Sequence, residues 1–182
     1  MKKVLFAVVI ALVAVSCASK KEAAFKGDRE VTVPCSGPEF QSTKDVFRAS
    51  GMGYSNDMQI AKNKALMNAR AELATSISNT MKRVVDNYAS SYQMGQSEEA
   101  KSKFQDLARM VVKQELQGTI VICDKMMQTQ EGQFRSYVTV ELGGPEVANK
   151  IANAVKNDDK LRIDYEYEKF KKVFEEEMGK IE

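Results

Sequence analysis

From Ala61 to Tyr92, small and apolar residues recur at helical spacing: Ala61, Ala65, Ala69, Leu73, Ile77, Met81, Val84, Tyr88 and Tyr92. The pattern predicts one helix of roughly 36 residues, about 54 Å long, and everything else in the chain has to be arranged around it. The first half of the stripe is alanine. With so little side-chain bulk it can lie close against a sheet, whereas the larger second half calls for another helix. The helix is therefore expected to outrun the sheet it covers.

The flanking segments supply both partners. Val46-Phe47-Arg48-Ala49 reads as a strand running into Gly51-Met52-Gly53, taken as a tight turn, and Asn56 with Gln59 three residues on reads as a capping box for the long helix. Gly95 and Ser97 end that helix and start the next, whose face is Phe104, Leu107, Ala108, Val111, Val112 and Leu116. These two helices should form an antiparallel hairpin that protrudes. Thr119 to Gln130 and Phe134 to Leu142, joined by Glu131-Gly132-Gln133, form the clearest β-hairpin. Gly143-Gly144-Pro145 starts a further helix, reaching about Lys156. A last amphipathic helix carries Ile163, Tyr167, Phe170, Phe174, Met178 and Ile181 on one face and Lys and Glu on the other. The expected fold is α+β in two layers: a small antiparallel sheet of about three strands, covered by the long Ala-rich helix, with a helical hairpin and C-terminal helices. The apolar face of the last helix either packs on its own domain or offers Phe170, Phe174 and Met178 to a partner.

The N-terminus points to export. Met1-Lys2-Lys3 leads an uncharged apolar run from Val4 to Val15 that stops at Ser16-Cys17, too short for a membrane-spanning helix of about 20 residues. Ala14-Val15-Ser16-Cys17 resembles the lipobox of bacterial lipoproteins, with Ala14 where leucine is commoner. Residues 1–16 are then a signal peptide, and Cys17 becomes the acylated first residue, with palmitate among its acyl groups. Ala14-x-Ser16 also satisfies the small-x-small rule of ordinary secretory cleavage, which would leave a free Cys17 on a soluble exported protein. Cysteine parity favours the lipid: of three cysteines, taking Cys17 out of the thiol pool leaves Cys35 and Cys123 to pair. Residues 17–41, polar and with Pro34, Gly37 and Pro38, read as the lipidated terminus and a flexible tether, and residues 42–182 as one domain.

Composition narrows the function. The precursor has 27 basic and 25 acidic residues; loss of Lys2 and Lys3 leaves the mature chain formally neutral, which with export argues against a nucleic-acid partner. There is no histidine, hence neither the usual proton-transfer side chain nor the commonest transition-metal ligand, and no tryptophan for stacking sugars.

Gly51-Met52-Gly53, followed by Ala61, Lys64-Ala65-Leu66 and Asn68-Ala69-Arg70-Ala71-Glu72-Leu73-Ala74, resembles the twenty-kilodalton bacterial outer-membrane lipoprotein family, a domain related to one in a flagellar assembly protein. The similarity covers about Val46 to Leu142. It implies an anchored periplasmic or surface domain without a catalytic centre. The segment from about Ser90 to Leu116 and the helix after Asp158 go beyond the family core, and no flagellar role follows from this chain.

Candidate chemistry weighs lightly against packing. Gly51-x-Gly53 before a helix invites a phosphate-binding reading, but Asn56 stands at the third fingerprint position, and Asp57 puts negative charge where the phosphate would sit. Arg70 and Glu72 point to different sides of their helix. No serine has lysine at the third following position, so the commonest histidine-free serine nucleophile is missing. Asp158-Asp159 and Glu175-Glu176-Glu177 lack the alternating oxygen ligands of a cation loop and read as a helix start and a solvated face, so no metal and no cofactor is expected. Alternation along the strand puts Thr119, Val121 and Cys123 on one face, across which Cys35 can staple the N-terminal segment. The other state of the pair is a buried thiol at Cys123 and a loose one at Cys35. The expectation is therefore a non-enzymatic, lipid-anchored outer-membrane protein, a structural or protein-interaction module with an envelope protein or a second copy as partner. The alternative is a carrier or receptor for a small apolar or envelope ligand, with methionines and tyrosines lining a cavity.

Overall fold

The computed structural model describes residues 27–28, 30–92, 98–158, 161 and 166–181. The chain divides into two units, residues 1–32 and residues 33–182. Of the first unit, Gly27, Asp28 and residues 30–32 are described, and all are exposed. All secondary structure described lies in the second. Its elements are β1 (Val46–Ser55), α1 (Met58–Tyr92), α2 (Glu98–Glu115), β2 (Ile120–Gln128), β3 (Phe134–Gly143), α3 (Gly144–Lys156) and α4 (Tyr167–Met178).

The fold is α+β: a three-stranded antiparallel sheet in the order β1-β3-β2, packed on α1, with the other helices beyond it. β3 is central because the β2-β3 hairpin leaves its far edge to β1, with Phe47 opposite Leu142, Ala49 opposite Val140, Gly51 opposite Val138 and Gly53 opposite Ser136. These eight positions line the face towards α1. The two glycines sit there for a steric reason. A Cβ on Gly51 would lie 2.3 Å from the Ala69 nitrogen and 2.4 Å from the Ala65 oxygen; one on Gly53 would lie 2.0 Å from the Ala61 oxygen. Strand and helix backbones thus touch through paired glycines and alanines. The expected turn at Gly51-Met52-Gly53 is accordingly corrected: both glycines lie inside β1, which runs on to Ser55.

α1 is 35 residues long and starts at Met58, directly after Asp57. The Asp57 carboxylate accepts a 2.8 Å hydrogen bond from the Ile60 amide, so it caps the helix in place of the expected Asn56, whose side chain instead accepts from Gln133. Two α1 side chains also close the edge of the sheet. Lys64 Nζ donates to the Tyr54 carbonyl at 3.2 Å and Asn68 Nδ2 to the Met52 carbonyl at 2.8 Å, matching two steps along the strand to one turn of helix. An edge strand whose carbonyls are taken this way is a poor template for further pairing.

Past the sheet, α1 runs antiparallel to α2, with Asp86 bonded to Lys101 and Tyr88 against Phe104. The expected protrusion of this hairpin is corrected: α3 packs on α2 and α4 on α1. Tyr88, Phe104, Phe170 and Phe174 form a cluster with ring centroids 5.7–6.4 Å apart. The hydroxyl of buried Tyr88 accepts from the Glu166 amide at 2.8 Å, fixing where α4 begins. The core is continuous from Phe47 in the sheet to Met178 in α4.

Candidate functional site

The most constructed feature is on the sheet face turned away from α1. Cys35 and Cys123 form a disulfide, with Cα atoms 5.8 Å apart and a sequence separation of 88. Cys35 is 5 % exposed and adopts a left-handed backbone conformation, φ 59°. Its carbonyl accepts from Ser50 Oγ at 2.8 Å and from Thr139 Oγ1 at 3.0 Å, and these hydroxyls, an opposed pair across β1 and β3, lie 2.7 Å apart. All three strands therefore hold this one residue: β1 through Ser50, β3 through Thr139 and β2 through Cys123. The following segment is tied down as well, by a 3-10 turn over Pro38–Phe40 and by Ser42 Oγ, which bonds both the amide and the carbonyl of Arg48. The folded unit thus starts at Val33, before the expected start at residue 42, and includes residues 33–41, expected in a tether.

The bridge depends on a β-bulge. Val121 is opposite Val140, while Cys123 is opposite Thr139, so the register slips by one residue between them. Val121 then faces α1 and Cys123 the outer side, which corrects the simple alternation that placed both on one face. Below the bridge, no described residue covers the outer face: Met52 is 48 %, Tyr54 41 % and Met127 51 % exposed, and the Arg135 guanidinium lies over the Tyr54 ring at 5.8 Å. Cys17, the expected acylation site, lies outside the described residues.

The C-terminal candidates are placed elsewhere. Phe170, Phe174 and Met178 are 0, 3 and 1 % exposed and fill the domain's own core, so they present no face to a partner. Glu177, expected on a solvated face, is 1 % exposed. Its carboxylate accepts from Arg83 Nε at 3.1 Å, from Asn87 Nδ2 at 2.7 Å and from Lys180 Nζ. Burial pushes this carboxyl up, but the hydrogen bonds from Lys180 and Arg83, the Lys180 charge and the Asn87 amide outweigh it, and the net shift is downward. Arg83 also reaches Thr80 Oγ1 at 3.1 Å. These residues floor an open groove of about 790 Å³ between α1 and the end of α4, with Glu72, Thr75, Ser76 and Asn79 on its wall. Only the spacing of Glu177 and Lys180, three apart in sequence, hinted at this network. Arg83 and Asn87 come from α1, 94 and 90 positions earlier in the chain.

The remaining candidates have structural partners. Arg70 donates to Thr119 Oγ1 at 3.0 Å, while Glu72 lies on the groove wall. Of the described methionines, Met58, Met67 and Met110 are exposed on helices, and Met81 and Met178 are core residues. Among the described residues, no group of three His, Cys, Asp or Glu side chains is placed to hold a metal ion, and no helix is long and apolar enough to cross a membrane. No family model, curated protein or solved structure matches the chain.

Proposed function

We propose that this protein is a lipid-anchored lipoprotein of the outer membrane, a non-catalytic structural or protein-interaction module of the kind that the resemblance to the twenty-kilodalton lipoproteins implies. The observation that carries this reading is the Cys35–Cys123 bridge. A disulfide needs an oxidising compartment, which agrees with the export signal, and once these two thiols are joined Cys17 is the cysteine left for the lipid. The bridge also suits an anchor mechanically. Tension on the chain from Cys17 enters the domain at Cys35, where a covalent bond to β2 and hydrogen bonds to β1 and β3 spread it over the whole sheet.

The test is the intact mass and membrane partition of the native protein beside its Cys17→Ser variant, each crosslinked in the cell before purification. The expected outcome is an N-terminal mass increase of diacylglycerol size, extraction by detergent only, and an envelope protein or second copy crosslinked to the native form and reduced in the variant. A native protein that carries no acyl mass and leaves the membrane with salt would overturn the anchoring. An acylated protein that crosslinks to nothing but copurifies with a small molecule would overturn the interaction module.

A further inference from the structure

We infer that the exposed lower half of the outer sheet face, around Met52, Tyr54 and Met127, rests on an anionic bilayer surface, a proposal that depends on the anchoring proposed above. Three observations lead there. The first is where the chain enters: Cys35 is bonded to this same face and stands eighteen positions after Cys17. That length spans at most about 60 Å when fully extended, so an acylated Cys17 keeps the sheet close to the lipid, where even a weak surface affinity orients the domain.

The second is the kind of side chain exposed. Met52 is opposite Tyr137 and Tyr54 opposite Arg135, which is in turn opposite Met127. Methionine and tyrosine suit the boundary between headgroups and acyl chains, one adaptable and apolar, the other apolar with a hydroxyl at its tip. The third is charge. Exposed Arg135 lies over Tyr54, exposed Lys125 is opposite Tyr137, and Lys64 reaches the Tyr54 carbonyl from α1. Arg135 and Lys125 lie on the face of the patch and Lys64 at its β1 edge, and such cations match lipid phosphates. The carboxylates nearby are Glu131 in the hairpin turn, which interacts with Arg135, and Asp124, which is on the other face and paired with Lys62 at 2.6 Å. The exposed methionines Met67 and Met110 are on α1 and α2 rather than on this sheet face and serve as internal references.

The methionines make the test direct. The native, full-length protein is reconstituted on vesicles of phosphatidylcholine with phosphatidylglycerol, and on phosphatidylcholine alone, then exposed to dilute hydrogen peroxide; sulfoxide is read by peptide mass. On anionic vesicles Met52 and Met127 should oxidise about threefold more slowly, relative to Met67 and Met110, than in detergent. Arg135→Glu together with Lys125→Glu should abolish that protection. Unchanged relative rates on anionic vesicles overturn the proposal, and so does equal protection on neutral ones. Protection without vesicles that rises with protein concentration also overturns it, by showing that a second copy covers the face. Intact mass of the same sample separates the two readings: a missing acyl mass overturns the anchoring, and flotation of that unacylated chain with anionic vesicles then decides whether the face binds.

Discussion

Gly53 shows how much one hydrogen can matter. Its missing side chain leaves room for the Ala61 carbonyl, and a Cβ would lie 2.0 Å from that oxygen and 2.5 Å from the Ala65 nitrogen, both of them backbone atoms that cannot step aside. Gly53→Ala is therefore expected to cost about 3 kcal/mol, read from urea unfolding. An unchanged midpoint would mean that α1 can back away from the strand. Glu177 makes a different prediction. Its carboxyl is held below its ordinary value, so the folded state binds that proton less readily than the unfolded one. Its contribution is complete above the unfolded carboxylate range and is lost as pH falls through the folded value. Glu177→Gln should cost about 1–3 kcal/mol at neutral pH, and the gap to the native protein should narrow in acid. A gap of constant size would rule out the charge as its source. The glycines were legible in principle, since Phe47, Ala49, Gly51 and Gly53 are alternate residues of one strand. Glu177 was not, because burial of one glutamate in a run of three is decided by Arg83 and Asn87 across the groove.

α1 serves two layers because its face changes along its length. Ala61, Ala65 and Ala69 meet β1, and Met81, Val84, Val85 and Tyr88 belong to the helical part of the core. That division follows from side-chain size and was visible as periodicity. The course of β2 was not: the bulge between Val121 and Cys123 leaves no mark in an apolar run, yet it turns the cysteine outward to meet Cys35. The bridge closes a long loop, and its reduction, or Cys35→Ala, should lower stability by about 2–4 kcal/mol. Chemical unfolding with and without reductant measures this. If both midpoints coincide, the hydrogen bonds from Ser50 and Thr139 hold residue 35 without it. For α4, Phe174→Ala should cost about 3–5 kcal/mol, since the ring is 3 % exposed and packs on Phe170; a loss under 1 kcal/mol would instead indicate a loosely attached helix.

Because a single hydrophobic cluster runs from Phe47 to Met178, sheet and helices should unfold together. The slowest-exchanging amides of β3 and α4 are expected to report the same opening free energy to within about 1 kcal/mol, by native-state hydrogen exchange. A β3 that stays protected after α4 has exchanged would divide the fold in two. The long helix, the β-hairpin, the Pro145 helix start and the α+β class were all readable from the chain. They rest on interactions a few residues apart: the 3.6-residue repeat of apolar side chains, alternation along strands, and the backbone limits of glycine and proline. What packing settled is the order β1-β3-β2, the placing of Cys35 under three strands, the burial of Phe170, Phe174 and Met178, and the ionic floor of Glu177. Each joins residues far apart in sequence, and an amphipathic pattern states only that a face must be covered. Which surface covers it depends on the shape of the rest of the molecule.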